Sequence, residues 1–205
     1  LEEGVREEEI LGYMRSAAGV CSELGIALVC GDTKVVPRGT ADGLFVTTCA
    51  TGRRVSERDL GMNALRPGDH IIVSRPFGRH GATIAAQRFG LDVPGLASDC
   101  APLWEPASSL LDIAGLRCMR DCTRGGMGTV LCEWAEGARL GIEIRENDLP
   151  SDPDVLSVCD ILGYDPLYLA CEGCMVVAVG AAEAETVLSR LAAFPSCDGA
   201  ADIGV

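Results

Sequence analysis

The residues best suited to chemistry in this sequence stand where short apolar runs end. The segment 31–34 (Gly-Asp-Thr-Lys) follows the apolar run 26–30. A carboxylate such as Asp32 can hold Mg²⁺ in an oxygen shell, and the Lys34 ammonium can neutralise phosphate charge as a compact donor. A plain strand-end turn with a surface ion pair has the same composition. The segment therefore predicts either a site for magnesium and phosphate or an ordinary turn.

A second candidate is the segment 120–126 (Arg-Asp-Cys-Thr-Arg-Gly-Gly), which predicts a strand that passes through two glycines into a helix. Gly125 and Gly126 let an anion approach the free N–H groups at the helix start, where the helix dipole adds positive charge. Arg124 can add a planar, bidentate donor. The same pattern also occurs in plain strand-to-helix connections, so both interpretations stay open.

A third candidate is Glu172, a lone carboxylate between apolar runs. We expect it to be partly buried, because its neighbours on both sides are apolar. Burial raises the pKa of a carboxyl group and makes it a competent proton acceptor near neutral pH. The alternative is a carboxylate that caps the following backbone.

The elements that position these residues indicate a chain with alternating helices and strands. Hydrophobic residues make up 48% and aromatic residues 4%, so the core is built from Val, Ile, Leu and Ala, which favours an α/β or α+β fold. We place a domain boundary near Arg66. Apolar spacing predicts helices over 7–24, 81–89, 103–114, 127–137, 155–162 and 181–194, and strands over 26–30, 44–48, 71–74, 117–120, 141–146, 175–179 and 201–205.

Charge and hydropathy exclude two classes of partner. Acidic residues outnumber basic ones by 30 to 17 and no run of Lys and Arg follows the chain, which argues against nucleic acid. No apolar stretch approaches the roughly 20 residues that cross a bilayer, and no leader precedes the first helix, so we expect a soluble, cytoplasmic protein without membrane contact. The start at Leu1 and the end at Val205 suggest a fragment.

The cysteines and one histidine leave alternatives open. Most of the eleven cysteines fall in apolar segments, as expected of buried thiols that act as small hydrophobic residues. Cys171 and Cys174 form a C-x-x-C pair, for which a zinc or redox role is a minor alternative because no second such pair exists. His80 can hydrogen-bond a loop carbonyl.

Five motifs make the chain similar to the carbamoyl dehydratases of hydrogenase maturation, a family in the aminoimidazole ribonucleotide synthetase-like superfamily. They lie at 31–36, 69–74, 98–103, 120–126 and 161–170. The last, with its Asp-Pro-Leu-Tyr-Leu run, points away from the other superfamily members. The chain departs from the family where it has Cys171 before Glu172, Cys174 after it, and Arg79 in place of the usual Asp.

The resemblance implies an α/β fold of the α+β type in two domains. Residues 1–66 would be the second half of an N-terminal domain for ATP binding and dimerisation. Residues 67–205 would be a C-terminal domain with a mixed sheet and flanking helices, incomplete at its end. The family pattern also implies a homodimer, an ATP site between the domains, and a C-terminal cysteine that carries the carbamoyl group and is missing here, so that the fragment would be inactive alone.

The reaction implied by the resemblance is the ATP-dependent dehydration of a protein thiocarbamate to a thiocyanate, which supplies cyanide ligands for [NiFe] hydrogenase. The implied cofactors are ATP and Mg²⁺, and the implied partners are the carbamoyltransferase HypF and the HypC–HypD iron scaffold complex. Glu172 and Lys34 would be catalytic, and Asp32 would hold Mg²⁺. The residues expected to bind ATP are Asp32, Thr33, His80, Asp121, Thr123, Arg124, Gly125 and Gly126.

Two other functions remain open at the level of the sequence. One is another ATP-dependent activity of the superfamily, similar to selenophosphate synthetase or thiamine-phosphate kinase. The other is a non-catalytic interaction module, in which the changes at Cys171 and Arg79 mark lost activity.

Overall fold

The computed structural model describes residues 1–205 and divides into two compact units, Leu1–Arg53 and Arg54–Val205. The division falls upstream of the boundary predicted at residue 66. None of the helices combines the length and apolar character needed to cross a bilayer.

The first unit contains one helix, α1 (Glu7–Glu23), as predicted. Three glutamates occupy its first turn, where the helix dipole favours negative charge. The chain before α1 is tied to the segment after it by an isolated parallel bridge between Glu2 and Val36. The Glu2 carboxylate accepts the backbone N–H groups of Gly39 and Gly43, and these bonds lower the pKa of Glu2.

The prediction of two strands in the first unit is wrong. Residues 26–30 and 44–48 have no strand partner and are largely exposed, with Val29 at 86% and Phe45 at 73%. An apolar run predicts burial, but a strand also needs a neighbouring chain to bond its backbone groups. No such neighbour lies beside these segments.

The second unit is built on a four-stranded sheet. Its strands are β1 (Asp69–Val73), β2 (Leu116–Asp121), β3 (Met175–Gly180) and β4 (Ala201–Gly204), in the order β2-β3-β1-β4. All four were predicted to within a few residues. The expectation of a mixed sheet is wrong, because all three pairings are antiparallel.

Helices cover both faces of this sheet, which explains why the central strands are apolar on both sides. They are α2 (Arg79–Phe89), α3 (Trp104–Ser108), α4 (Gly126–Ala138), α5 (Pro153–Leu162) and α6 (Ala184–Leu191). Trp134 of α4 belongs to the core on one face, and Val187 of α6 to the core on the other. A third cluster joins α2 to α5 through Ala82 and Val158. The helix and strand pattern confirms the predicted fold class.

Three predicted elements are shorter or different. The helix predicted over 103–114 ends at Ser108, and turns follow it. The strand predicted over 141–146 is reduced to one antiparallel bridge, Ile144 to Gly204, flanked by backbone bonds between Glu143 and Val205. The helix predicted over 181–194 begins with a 3-10 turn and ends at Leu191.

Arg58 fixes the turns that replace the end of the predicted helix. Its guanidinium donates to the carbonyls of Ile113 at 2.6 Å, Leu116 at 2.7 Å, Ala114 at 2.8 Å and Leu111 at 3.3 Å. The planar fork of an arginine can bond several acceptors at once. One side chain therefore satisfies four carbonyls of the turns between α3 and β2 and of the first residue of β2.

We expect Arg58→Ala to lower the free energy of unfolding of the full-length protein by about 2 kcal/mol, because partly buried carbonyls lose their donors. Arg58→Lys should recover less than half of that loss, since an ammonium cannot form the fork. Urea denaturation measures both, with the exposed Arg88→Ala as control. A loss below about 0.5 kcal/mol for Arg58→Ala would contradict this role.

Candidate functional site

Two of the predicted chemical segments meet where β2 ends and β3 begins. Antiparallel neighbours place these two ends at one edge, and Asp121 pairs directly with Met175. The pairing continues through Cys122, whose N–H donates to the Cys174 carbonyl at 3.0 Å and whose carbonyl accepts the N–H of Cys171 at 2.9 Å. We call residues 121–126 and 170–174 the β2–β3 edge. It brings Glu172 to the turn predicted to bind phosphate.

The two glycines at the start of α4 are required by the backbone. Gly125 and Gly126 have φ values of 76° and 63°, which L-residues with side chains rarely adopt. A Cβ on Gly126 would also lie 2.5 Å from the Leu167 carbonyl oxygen and 2.6 Å from that of Leu169. The 161–170 motif thus packs over the first turn of α4, and Gly126 permits this approach.

The polar residues of this turn are exposed to different degrees. Thr123 is half-buried and donates its hydroxyl to the Asp121 carboxylate at 2.8 Å. Arg124 is exposed and takes part in none of the salt bridges of the structure. Its guanidinium is therefore free to bind an anion.

Glu172 is exposed, so the expectation of a partly buried carboxylate is wrong. The turn directs Cys171, Gly173 and Cys174 into the interior and leaves Glu172 on the outside. Its backbone is nevertheless fixed: its N–H donates to the Asp99 carboxylate at 3.0 Å and its carbonyl accepts from Ala101 at 3.3 Å. The Glu172 carboxylate is therefore accessible, while hydrogen bonds fix the backbone that carries it.

Residues at the start of α2 contact the Glu172 turn. The N–H of Gly81 donates to the Ala170 carbonyl at 2.8 Å, and the N–H of Gly78 donates to the Cys171 sulfur at 3.0 Å. The predicted site residue His80 contacts the Ser98 hydroxyl through Nδ1 at 2.9 Å. The partner is a loop hydroxyl and not the loop carbonyl that was one of the two alternatives for this residue.

Arg79 joins three elements. Its guanidinium donates to the carbonyls of Ala97 at 2.9 Å and Gly95 at 2.6 Å, and it pairs with Asp152 at the start of α5. These contacts connect α2, the 95–97 loop and α5. Arg79 therefore has a structural role at the start of α2.

Three cysteines of the β2–β3 edge are fully buried and form no disulfide: Cys122, Cys171 and Cys174. A hydrogen bond with Cys174, together with burial, raises the pKa of Cys171, and a hydrogen bond with Cys122 raises that of Cys174. Nearby, burial raises the pKa of Cys118 to about 11. Metal binding and thiol exchange need the thiolate, which these raised pKa values disfavour.

The other cysteines divide between interior and surface. In total six are buried, four are exposed and Cys21 is intermediate. No group of three or more His, Cys, Asp or Glu side chains is placed to hold a metal ion. The zinc alternative therefore has no ligand set in this structure.

In the first unit, Asp32, Thr33 and Lys34 are exposed. One oxygen of Asp32 accepts the N–H of the next residue, Thr33, at 2.8 Å. Lys34 takes part in none of the salt bridges, so the surface ion pair considered for this turn is not formed. One carboxylate oxygen and one ammonium remain available to a ligand.

Two cavities in the second unit lie away from the predicted residues. One, of about 380 Å³, is lined by residues that include Asp69, Trp134 and Val205. Another, of about 330 Å³, is lined by residues that include Phe77 and Asp152. No predicted site residue lines either cavity.

We expect Gly126→Ala to destabilise the full-length protein by about 3 kcal/mol, because the methyl group meets two carbonyl oxygens and the residue has a positive φ. Gly90→Ala is the matched control, since Gly90 has a φ of 66° but open space around it, and should cost about 1 kcal/mol. Thermal and urea denaturation compare the two. Equal losses would show that the approach of residues 167–169 is not a constraint.

Comparisons with known proteins identify relatives along the whole chain. Residues 66–205 match the family described as AIR synthase related protein, C-terminal domain. The chain is 42% identical over 206 residues to the carbamoyl dehydratase HypE of Rhodobacter capsulatus and 43% identical over 205 residues to that of Escherichia coli K12. In both cases the match covers 100% of this chain and 61% of the relative. The chain thus spans about three fifths of the length of these curated relatives.

Solved structures give the same result. The crystal structure of E. coli HypE, a hydrogenase maturation protein, matches with a TM-score of 0.90 and 41% identity, over 100% of this chain and 64% of that one. A HypE structure in complex with ATP matches with a TM-score of 0.88 and 34% identity, over 100% and 62%. A HypE–HypF complex matches with a TM-score of 0.88 and 31% identity, over 100% and 68%.

Proposed function

The chain belongs to the AIR synthase related family and, within it, to the HypE carbamoyl dehydratases, and from this premise we propose that its full-length protein dehydrates a protein thiocarbamate to a thiocyanate at the expense of ATP. The thiocyanate would supply cyanide ligands for [NiFe] hydrogenase. The observation that carries the proposal is the β2–β3 edge, where an exposed carboxylate stands beside a glycine turn at a helix start, in a chain 42% identical to a carbamoyl dehydratase.

The nucleotide-binding role in the second unit is assigned to the turn 121–126. A relative of this chain has been crystallised with ATP. Arg124 is exposed and unpaired, and α4 directs its positive end at the turn, so both favour a phosphate group. Asp121 and Thr123 shape the turn through their mutual hydrogen bond. For His80, Nδ1 is occupied by Ser98, which leaves Nε2 for a contact with the nucleotide.

In the first unit we assign Asp32, Thr33 and Lys34 to the nucleotide and its metal ion. Mg²⁺ commonly keeps several water molecules and binds through one or two carboxylates plus phosphate oxygens. The free oxygen of Asp32 fits that donor set, and no larger cluster of ligands is needed. Bound Mg²⁺ would neutralise phosphate charge during transfer. Lys34 would add a second positive charge at the transferred phosphoryl group.

The dehydration divides into two steps. The carbamoyl oxygen first attacks the terminal phosphorus of ATP, ADP leaves, and one N–H proton is lost. The second N–H proton is then removed, the C–O bond breaks with loss of phosphate, and the carbon–nitrogen triple bond forms. Glu172 is our candidate for the base, because its carboxylate is accessible while its main chain is held on both sides.

We expect Glu172→Gln in the carbamoylated full-length protein to lower thiocyanate formation by at least about 100-fold, because the amide cannot accept a proton. ATP binding should stay within about twofold of wild type, since Glu172 lies outside the 121–126 turn. Mass spectrometry of the C-terminal peptide and nucleotide titration measure the two effects.

Glu185→Gln, which removes an exposed charge on α6, is the control and should behave as wild type. Unchanged turnover in Glu172→Gln would remove this residue from the mechanism.

The proposed partners, oligomeric state and location of this protein are carried over from its relatives. A HypE relative forms a complex with HypF, and we propose HypF as a partner of this protein as well. A homodimer, the HypC–HypD scaffold and a cytoplasmic location are proposed on the same basis. We also propose a domain boundary at residue 66, where the match to the C-terminal domain family begins.

The alternative functions have less support. At 42% identity over its full length the chain resembles carbamoyl dehydratases, which argues against a selenophosphate or thiamine-phosphate enzyme. A non-catalytic module was suggested by the changes at Arg79 and Cys171. Arg79 is used for packing between helices, and the Cys171 side chain points into the core. Neither change removes the carboxylate or the phosphate turn, so neither is a sign of lost activity.

A further inference from the structure

Asp99, within the motif at 98–103, is a buried carboxylate directly behind Glu172. Its exposure is 4%, and its Oδ1 accepts the N–H of Glu172 at 3.0 Å. Its Oδ2 is also buried and has no hydrogen-bond partner. A buried carboxylate with one unpaired oxygen destabilises a fold. Stability therefore does not explain why an acid stands at this position.

The loop that carries Asp99 holds the Glu172 turn at several points. The N–H of Ala101 donates to the Glu172 carbonyl, so one loop binds both backbone groups of that residue. Gly173 lies so close that a Cβ there would be 1.9 Å from the Asp99 carbonyl oxygen. The loop is in turn held to α2 through the contact between Ser98 and His80.

We propose that Asp99 is a positioning residue for Glu172. Its Oδ1 holds the N–H of Glu172, and with it the backbone conformation from which the exposed carboxylate extends. The inference rests on the proposed function, in which Glu172 is the base.

The test uses the carbamoylated full-length protein with thiocyanate formation as the readout. Asp99→Ala removes the acceptor and should lower kcat by about 10- to 100-fold while the KM for ATP stays within about twofold. Asp99→Asn keeps an acceptor oxygen at the position of Oδ1 and should restore kcat to within about threefold of wild type. Asp92→Ala, an exposed carboxylate close to the same loop, is the control.

If Asp99→Ala fails to fold, the kcat of Asp99→Asn compared with that of Asp99→Glu still tests the proposal. Asp99→Glu keeps the charge but displaces the acceptor, so it should be slower than Asp99→Asn. The reverse order, or a wild-type kcat in Asp99→Ala, would overturn the proposal. A wild-type protein that makes no thiocyanate from ATP would instead refute the proposed function. Wild-type activity lost in Glu172→Gln but kept in Asp99→Ala would refute only the role of Asp99.

Discussion

The candidate site at the β2–β3 edge depends on close contacts between backbone segments at three glycines. A Cβ on Gly173 would lie 1.9 Å from a carbonyl oxygen of the 98–101 loop, one on Gly126 would lie 2.5 Å from that of Leu167, and one on Gly81 would lie 2.9 Å from the Ala170 nitrogen. Without side chains at these positions, the start of α2, the start of α4 and the Glu172 turn can lie against each other. Each of these contacts is too short for any other residue type without movement of the backbone.

This packing explains how the exposed residue Glu172 can have a defined backbone position. Surface carboxylates usually sample several rotamers at little cost. For Glu172, hydrogen bonds hold the backbone at the N–H and at the carbonyl, and the buried neighbours Cys171 and Cys174 anchor the turn in the core. The point from which its side chain extends is therefore fixed. Hydrogen bonds among the buried sulfurs, together with burial, raise the pKa values of these two thiols and favour their neutral form. The cysteines of the C-x-x-C pair therefore act through packing.

Much of the second unit could be predicted from its sequence, because periodic apolar residues there coincide with real burial. β3, for example, was expected over 175–179 and extends to Gly180. The same reasoning was wrong for residues 26–30, since apolar character does not reveal whether a pairing strand exists. It was wrong for the burial of Glu172, because the orientation of a side chain in a turn depends on backbone angles that composition does not encode.

The candidate site was predicted in part and for partly different reasons. The sequence pattern favours Gly125 and Gly126 as residues that admit an anion, whereas the structure requires them for positive φ and for the approach of residues 167–169. Asp99 could not be assigned a role from the sequence, because its partner Glu172 lies 73 positions away. The only signal was its place in the 98–103 motif.

Amide hydrogen exchange of the full-length protein, with and without a non-hydrolysable ATP analogue, tests most directly whether phosphate binds at the β2–β3 edge. The account predicts slower exchange in residues 122–128 when the analogue is bound, because the N–H groups at the start of α4 become protected. Exchange in residues 140–143, at the cavity of about 380 Å³, should not change. Protection at 140–143 without protection at 122–128 would contradict the account.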